Sequence, residues 1–299
     1  MNKIIYLGVT QFLDEHKKIV DINLIYKDIP RFLKPIRKLV FDFNLPFKEV
    51  WLSKNFKEII AKYDIIILAA TLFNVRIVNI IDSYKFHNKR LIFWYWNPVE
   101  KICLPSKISN SWEKWSFDKK DCEKYNLFYN NTYYFKEFVL ENIEPPKYQV
   151  SFIGQDKGRL RKLLNLEKEF LKNGISSYFH IVKDRTSDLE YNYKGRLSYD
   201  GILDIIRSSK VLLDIVQEGQ SGLTLRIMES LFFSKKIITN NVDIEKYDFY
   251  SSENIFILGK DPEEGLCTFI ETQYMPIEKQ ILEGYTVNNW LNNFLKANG

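Results

Sequence analysis

The apolar residues of this chain fall into short dense runs and longer spaced ones, and the two kinds alternate along its length. Dense runs of four to eight residues rich in β-branched and aromatic side chains read as buried strands; apolar residues three or four apart read as helices with one buried face. The pattern predicts strands at Lys3–Val9, Asp64–Ala70, Arg90–Trp96 and Lys114–Phe117. Helices are predicted at Asn55–Lys62, Asn74–Tyr84 and Lys119–Lys124, with a helix or loop over Pro98–Ser111 and an extended piece near Asn126–Tyr134. Two prolines in Glu144-Pro145-Pro146-Lys147 then stop whatever precedes them and stiffen a linker. Alternation restarts with strands Tyr148–Ile153, Ser177–Val182, Val211–Val216, Lys236–Thr239 and Asn254–Leu258. Between them lie helices Arg159–Asn173, ended by Gly174, then Tyr199–Ser208 and Leu223–Phe233. A last helix, Val287–Lys296, carries Trp290, Leu291, Phe294 and Leu295 at helical spacing.

Strand–helix alternation of this kind predicts the α/β class with parallel strands, here as two Rossmann-like domains facing a cleft. The expected limits are 1–145, 146–285, and 286–299 as a C-terminal helix packing back on the N-terminal domain. A chain of 299 residues is long enough for two such cores. Its composition, 45% hydrophobic and 27% charged, excludes disorder as the main content. No apolar stretch approaches the roughly 20 residues that span a bilayer, and the opening segment turns polar too soon for a signal peptide, so a cytoplasmic protein is expected. Cys103, Cys122 and Cys267 are too scattered for a disulfide framework or, with His16, His87 and His180, for a zinc site.

The net charge of +5 is too small for a dedicated nucleic-acid binder and fits anionic small ligands or a membrane surface. The excess concentrates in residues 27–41, where Arg31, Lys34, Arg37 and Lys38 interleave with Phe32, Leu33, Ile36 and Leu39. Such a segment suits peripheral contact with anionic headgroups; the same residues, interrupted by Pro30 and Pro35, also read as a short solvated basic helix.

The stretch Gln217–Asn241, QEGQSGLTLRIMESLFFSKKIITNN, combines a glycine-containing polar loop, a helix start near Leu223, and a helical Arg226 and Glu229. A helix start presents unpaired N–H groups and the positive dipole end, which favour a diphosphate. Glu229 lies about two turns along, where a carboxylate could accept both hydroxyl protons of a ribose.

Three segments in order then resemble the nucleotide-binding domain of two-domain GT-B glycosyltransferases. They are SFIGQDKGRLRK (Ser151–Lys162), KGRLSYDGILDIIRSSKVLLD (Lys194–Asp214) and GLTLRIMESLFFSKKIIT (Gly222–Thr239). In the first half FWYWNPV (Phe93–Val99) and WSFDKKDCEKYNLFYN (Trp115–Asn130) look like segments of bacterial transferases that build lipopolysaccharide, O-antigen or capsule chains. The resemblance implies an acceptor-binding first domain and a donor-binding second one. It implies a nucleotide-diphosphate sugar as donor, and as acceptor a lipid-linked or oligosaccharide glycan met at the inner membrane face. Two departures stand out: aligning Glu229 on the second of the family's paired glutamates puts Ser221 where the first should be, with Glu218 nearby, and Gln155 stands where an arginine often follows the strand glycine.

Sugar transfer builds negative charge on the departing diphosphate. No aspartate pair flanks a single residue in a metal-binding loop, so cationic side chains and the helix end are expected to do this work, without a cofactor or an essential divalent metal. Lys157 is the first candidate, in a turn where Gly154 and Gly158 permit close approach, with Arg159 beside it. Arg226 is the second, as a phosphate fork or as half of a surface ion pair. Gln220, Ser221, Gly222, Leu223 and Thr224 offer hydrogen bonds to phosphate or sugar, or serve as loop and cap. An inverting reaction needs a base, for which Asp14, Glu15 and His16 stand in the loop after the first strand, though such a charged run also suits a solvated helix start. Trp94, Tyr95 and Trp96 suit sugar stacking or core packing. A catalytically inactive nucleotide- or sugar-binding scaffold of the same fold is the alternative.

Overall fold

The computed structural model describes residues 2–9, 11–139, 145–188, 190–216 and 222–296. It divides into two compact units, Met1–Asn131 and Thr132–Gly299, each built on one parallel sheet. No helix among the described residues is long and apolar enough to cross a membrane.

The first unit runs β1 (Ile4–Leu7), α1 (Leu13–Lys17), β2 (Asp21–Asn23), α2 (Lys34–Asp42), α3 (Phe56–Ile60), β3 (Ile65–Ala69) and α4 (Val75–Ser83). It continues through β4 (Arg90–Tyr95), α5 (Val99–Ile102), β5 (Trp112–Ser116), α6 (Lys119–Tyr125) and β6 (Phe128–Tyr129). The sheet order is β2-β1-β3-β4-β5-β6, with registers such as Ile5↔Ile66 and Leu68↔Phe93. The apolar runs become the central strands β3 and β4 because parallel strands covered on both faces need side chains that lose nothing by burial. Trp94 and Tyr95 belong to this core, with the Tyr95 hydroxyl on the Cys103 carbonyl at 3.1 Å. The edge strand β2 has no apolar run, and the sequence pattern did not anticipate it.

β1 has β2 on one side and β3 on the other, so the chain order reverses at its carboxyl end. There Gly8 takes a left-handed backbone (φ +76°), and the Asn74 amide donates to the carbonyls of Gly8 (3.4 Å) and Ala69 (2.9 Å). A Cβ on Gly8 would stand 2.2 Å from Asn74 Nδ2.

The second unit runs β7 (Tyr148–Gln155), α7 (Leu160–Lys172), β8 (Ser177–Val182), α8 (Tyr199–Arg207), β9 (Ser209–Asp214) and α9 (Leu225–Phe232). Then come β10 (Lys236–Thr239), β11 (Ile255–Ile257), α10 (Leu266–Glu271), α11 (Lys279–Gly284) and α12 (Val287–Lys296). The sheet order is β11-β10-β9-β7-β8, all parallel. The period-two alternation of strands sorts residues onto two faces: Val211 and Leu213 pack with Leu163 and Phe170 of α7, and Leu212 packs with Leu203 of α8 and Ile227 of α9. Helices therefore cover both faces, as the predicted fold class requires.

The division between units falls ahead of the Pro145–Pro146 pair because the aromatic run before it belongs to the second core. Tyr134 receives a backbone bridge from the α12 region, its N–H donating to the Tyr285 carbonyl (2.8 Å) and its carbonyl accepting from Val287 (3.2 Å). Trp290 of α12 packs on Tyr133 with ring centroids 4.4 Å apart. The predicted spacing holds on α12, where Trp290, Leu291 and Phe294 are buried.

Replacing Gly8 by alanine combines an unfavourable φ with a steric overlap and should cost about 2 kcal/mol or more. A thermal melt of Gly8→Ala that matches the parent chain would show that the turn relaxes freely.

Candidate active site

In the second sheet the order reverses between β7 and β9, and open α/β sheets bind ligands outside the carboxyl ends of the strands at such a point. Most candidate residues of the second half gather here. β7 ends in a turn in which Lys157 (φ 52°) and Gly158 (φ 75°) are both left-handed, and Lys157 is exposed. Asp156 organises the turn from beneath, one carboxylate oxygen accepting from the Leu160 N–H at the start of α7 (2.9 Å), the other from the Tyr193 hydroxyl (2.5 Å). The Lys157 N–H donates to Asp184 at 2.9 Å.

Arg159 has a different job from the one its position in the sequence suggested. Its guanidinium donates to the carbonyls of Asp156 (3.0 Å), Gln155 (2.5 Å) and Ile215, so it clamps the ends of β7 and β9 together. It crosses Gly154, where a Cβ would lie 3.2 Å from the Phe152 ring and 3.4 Å from Arg159 Nη2. Gly154 thus makes room for the Phe152 ring, over which the arginine lies.

α9 starts beside this clamp. Its cap Thr224 accepts from the Ile227 N–H (3.3 Å) and donates to Asp214 at the end of β9 (3.0 Å). Both roles of that hydroxyl are taken up by the protein, so Thr224 acts as the cap that the sequence offered as one of its two readings. Burial pushes the Asp214 carboxyl above its ordinary range, against the pull of Thr224 and the nearby Arg226, Arg159 and Lys157. Leu223 is a core residue and Gly222 is buried. Gln220, Ser221 and Glu218 lie outside the described residues.

Further along α9, Arg226 and Glu229 form a buried pair with Nη1 2.5 Å from Oε2. Arg226 also donates to the Ile153 carbonyl of β7 (3.1 Å), which corrects the expectation of a guanidinium forking onto phosphate or pairing at the surface. Glu229 is 1% exposed, and its other oxygen accepts from the Tyr199 hydroxyl at 2.9 Å. Tyr134 hydrogen-bonds that hydroxyl at 2.6 Å, donating to it because the Tyr199 O–H is already directed at the Glu229 oxygen. Burial raises the Glu229 carboxyl, and Arg226 and Tyr199 pull it back. Tyr134, Asp156, Tyr193 and Asp214 escaped the sequence reading as site residues; the one local signal was an acidic residue closing each of two apolar strands.

In the first unit Asp14 is exposed and pairs with Lys17 at 3.1 Å, while Lys18 pairs with Glu15 at 2.7 Å. His16 is corrected as a base: it is fully buried, its Nδ1–H donates to the Phe12 carbonyl (2.8 Å), and its ring meets Tyr6 edge-on at 5.5 Å. Burial lowers its pKa to about 4. A base must reach its substrate, and this ring has no solvent face.

No protein-family model matches the chain, and no curated protein matches it in sequence. Solved structures do. A sucrose-phosphate synthase from Thermosynechococcus elongatus is similar with a TM-score of 0.58 at 10% identity, covering 100% of both chains. HepE of Anabaena, solved with UDP-glucose, has a TM-score of 0.53 at 8% identity, covering 99% of this chain and 100% of its own. A candidate UDP-N-acetylglucosamine 2-epimerase from Listeria monocytogenes has a TM-score of 0.50 at 10% identity, covering 99% and 95%. At these identities the likeness carries the fold: paired Rossmann-like units, the GT-B fold.

Two measurements follow. Because the unfolded chain binds the His16 proton at about pH 6.5 and the folded one only near pH 4, the stability tied to this ring is complete above pH 6.5. It is lost as pH falls toward 4, by about 3 kcal/mol. His16→Phe should flatten the stability profile across that window, and an unchanged slope would contradict a buried neutral imidazole. Arg226→Met should cost about 3–5 kcal/mol by stranding the Glu229 charge, whereas Arg226→Met with Glu229→Gln should recover most of it. Equal melts for the single and double variants would show that the pair does not hold α9.

Proposed function

We propose that this protein is a glycosyltransferase that moves a sugar from a nucleotide-diphosphate sugar to an acceptor hydroxyl, with the donor diphosphate bound at the carboxyl ends of β7 and β9. The observation that carries the reading is the meeting, at the reversal point of the second sheet, of the Lys157–Gly158 turn with the capped start of α9. Gly158, without a Cβ, lets an anion approach the backbone of this turn closely, and the helix start adds its positive dipole end. Lys157 is exposed on that turn and supplies a cation. HepE, of the same fold, binds UDP-glucose, which supports a nucleotide-sugar donor.

In this reading Lys157, the α9 start and the backbone of Gly222 and Leu223, with Gln220 and Ser221 ahead of them, stabilise the charge that builds on the diphosphate as the sugar leaves. Arg159 and Arg226 are positioning residues that hold the strand ends and α9 in register. Glu229 receives the ribose by exchanging Tyr199 or Arg226 for the nucleoside hydroxyls, an exchange that keeps its charge satisfied. Asp14 and Glu15 are the remaining base candidates of the first unit. The acceptor is a growing surface glycan of the lipopolysaccharide, O-antigen or capsule type, supported by Phe93–Val99 and Trp115–Asn130, and lipid-linked acceptors bring the enzyme to the inner membrane face.

A second reading, chemistry or simple binding at the nucleotide sugar without an acceptor, draws on the epimerase candidate of the same fold and on a Glu229 carboxylate that already faces the Arg226 charge and accepts from Tyr199. Thermal shift across nucleoside diphosphates and their sugars separates binding from its absence: a ligand at about 100 times its Kd stabilises by about 2.7 kcal/mol. Lys157→Ala should reduce that protection while leaving the unliganded melt unchanged. No shift with any nucleotide would overturn both readings; protection without sugar transfer to a glycan acceptor would favour the second.

A further inference from the structure

We propose that the outer face of α2, with the turn that follows it, docks on an anionic lipid bilayer. Ile36 and Leu39 lie three apart on α2, Phe32 stands on the 3-10 turn at 31–33 that leads into it, and Phe43 follows its last residue. Each is a large apolar residue in water: Phe32 is 73% exposed, Ile36 48%, Leu39 50% and Phe43 70%. The opposite side has its partners, with Phe41 in the core, and Val40 packed against it. Arg37 also turns inward, its guanidinium over the rings of Tyr26 (4.9 Å) and Phe73 (5.6 Å) and donating to the Lys27 carbonyl (3.1 Å).

The turn after the helix extends the same surface beyond the segment that the sequence singled out. Leu45, Phe47 and Val50 are exposed, Phe47 at 78%. Phe47 holds a left-handed backbone (φ 64°), as does Asn44 (φ 51°). A conformation that disfavours any residue with a Cβ is held here by a phenylalanine whose ring stands in solvent, at one end of an apolar face. Apolar residues this dense on one surface mark a contact with something else.

Charge identifies the contact. Residues 24–50 carry six basic side chains against three acidic ones, and one of the acids, Asp42, is paired with Arg76. With Arg37 committed inward, Lys27, Arg31, Lys34 and Lys38 remain exposed among the apolar positions. Centres of protein–protein interfaces are depleted of lysine, whereas at a bilayer surface lysine lays its methylene stem along the acyl region and its ammonium among anionic headgroups. The proposal rests on the transferase reading only for what the bilayer would present, a lipid-linked acceptor; docking itself needs lipid alone.

Co-sedimentation of the full chain with vesicles of phosphatidylcholine alone, or mixed with phosphatidylglycerol, tests it. Binding to the mixed vesicles should exceed binding to neutral ones by about tenfold or more and weaken with salt. Phe32→Ser/Phe43→Ser/Phe47→Ser should abolish it, and Lys34→Glu or Lys38→Glu should each weaken it by about fivefold or more. These side chains are exposed, so the thermal midpoint of each variant should match the parent and certify its fold. The proposal is overturned if the parent fails to bind mixed vesicles, or if the serine variant binds them as well as the parent. It is also overturned if the parent is a dimer that the serine variant dissociates, which would make a second copy the occupant. Vesicle binding without any nucleotide-dependent thermal shift would keep the docking and remove the transferase reading.

Discussion

A parallel sheet ends in carbonyls that the sheet itself does not pair, and the second unit depends on how β7 and β9 satisfy theirs. One buried-side guanidinium does it. Arg159 takes carbonyls from Gln155, Asp156 and Ile215, so the two strands flanking the reversal point end at a common rigid edge. A backbone acceptor left unpaired in such a place costs as much as a lost hydrogen bond, and three are satisfied by one planar donor group. The Lys157 turn on one side and the Asp214–Thr224 contact on the other are then positioned by that edge. Gly154 is the small residue that makes room for the Phe152 ring beneath the arginine.

The second organising element is the polar seam along α9. Arg226 binds Ile153 of β7 and Glu229 of its own helix, and Glu229 binds Tyr199 at the start of α8, which in turn meets Tyr134. Four elements far apart in sequence are joined through one carboxylate. The desolvation of Glu229 is severe, and the adjacent Arg226 charge and the Tyr199 hydroxyl offset it. Such a seam has little stabilising value over an apolar one, but it fixes how α9 lies on the sheet, and therefore where the helix start points.

The two units differ in what they do with surface. The second buries its aromatic residues, including the run Tyr133–Phe135 that closes on Tyr285 and α12. The first leaves a concentrated group of phenylalanines outside, Phe32 just before α2 and Phe43 and Phe47 after it. Both features arise from ordinary amphipathic spacing; only the presence of a packing partner distinguishes them.

Repetition of dense and spaced apolar runs determined the strands of both sheets except the edge strand β2, the helices packed between them, and with them the α/β class, because burial on two faces or one leaves a periodic trace along the chain. The glycine-bracketed turn at residues 154–158, the capped start of α9 and the buried face of α12 were legible for the same reason: each is a local matter of φ, hydrogen-bond supply or spacing. The partners of polar side chains were not. Arg159 reaches Ile215, Tyr134 reaches Tyr199, and His16 closes under Tyr6, all across distances in sequence that no local pattern encodes. Only the tertiary structure decided that two arginines assigned to a ligand bind the protein itself, that the histidine has no solvent face, and which aromatic faces remain uncovered. A side chain's chemistry is written in its residue type, but its availability depends on which groups folding brings within three ångströms of it.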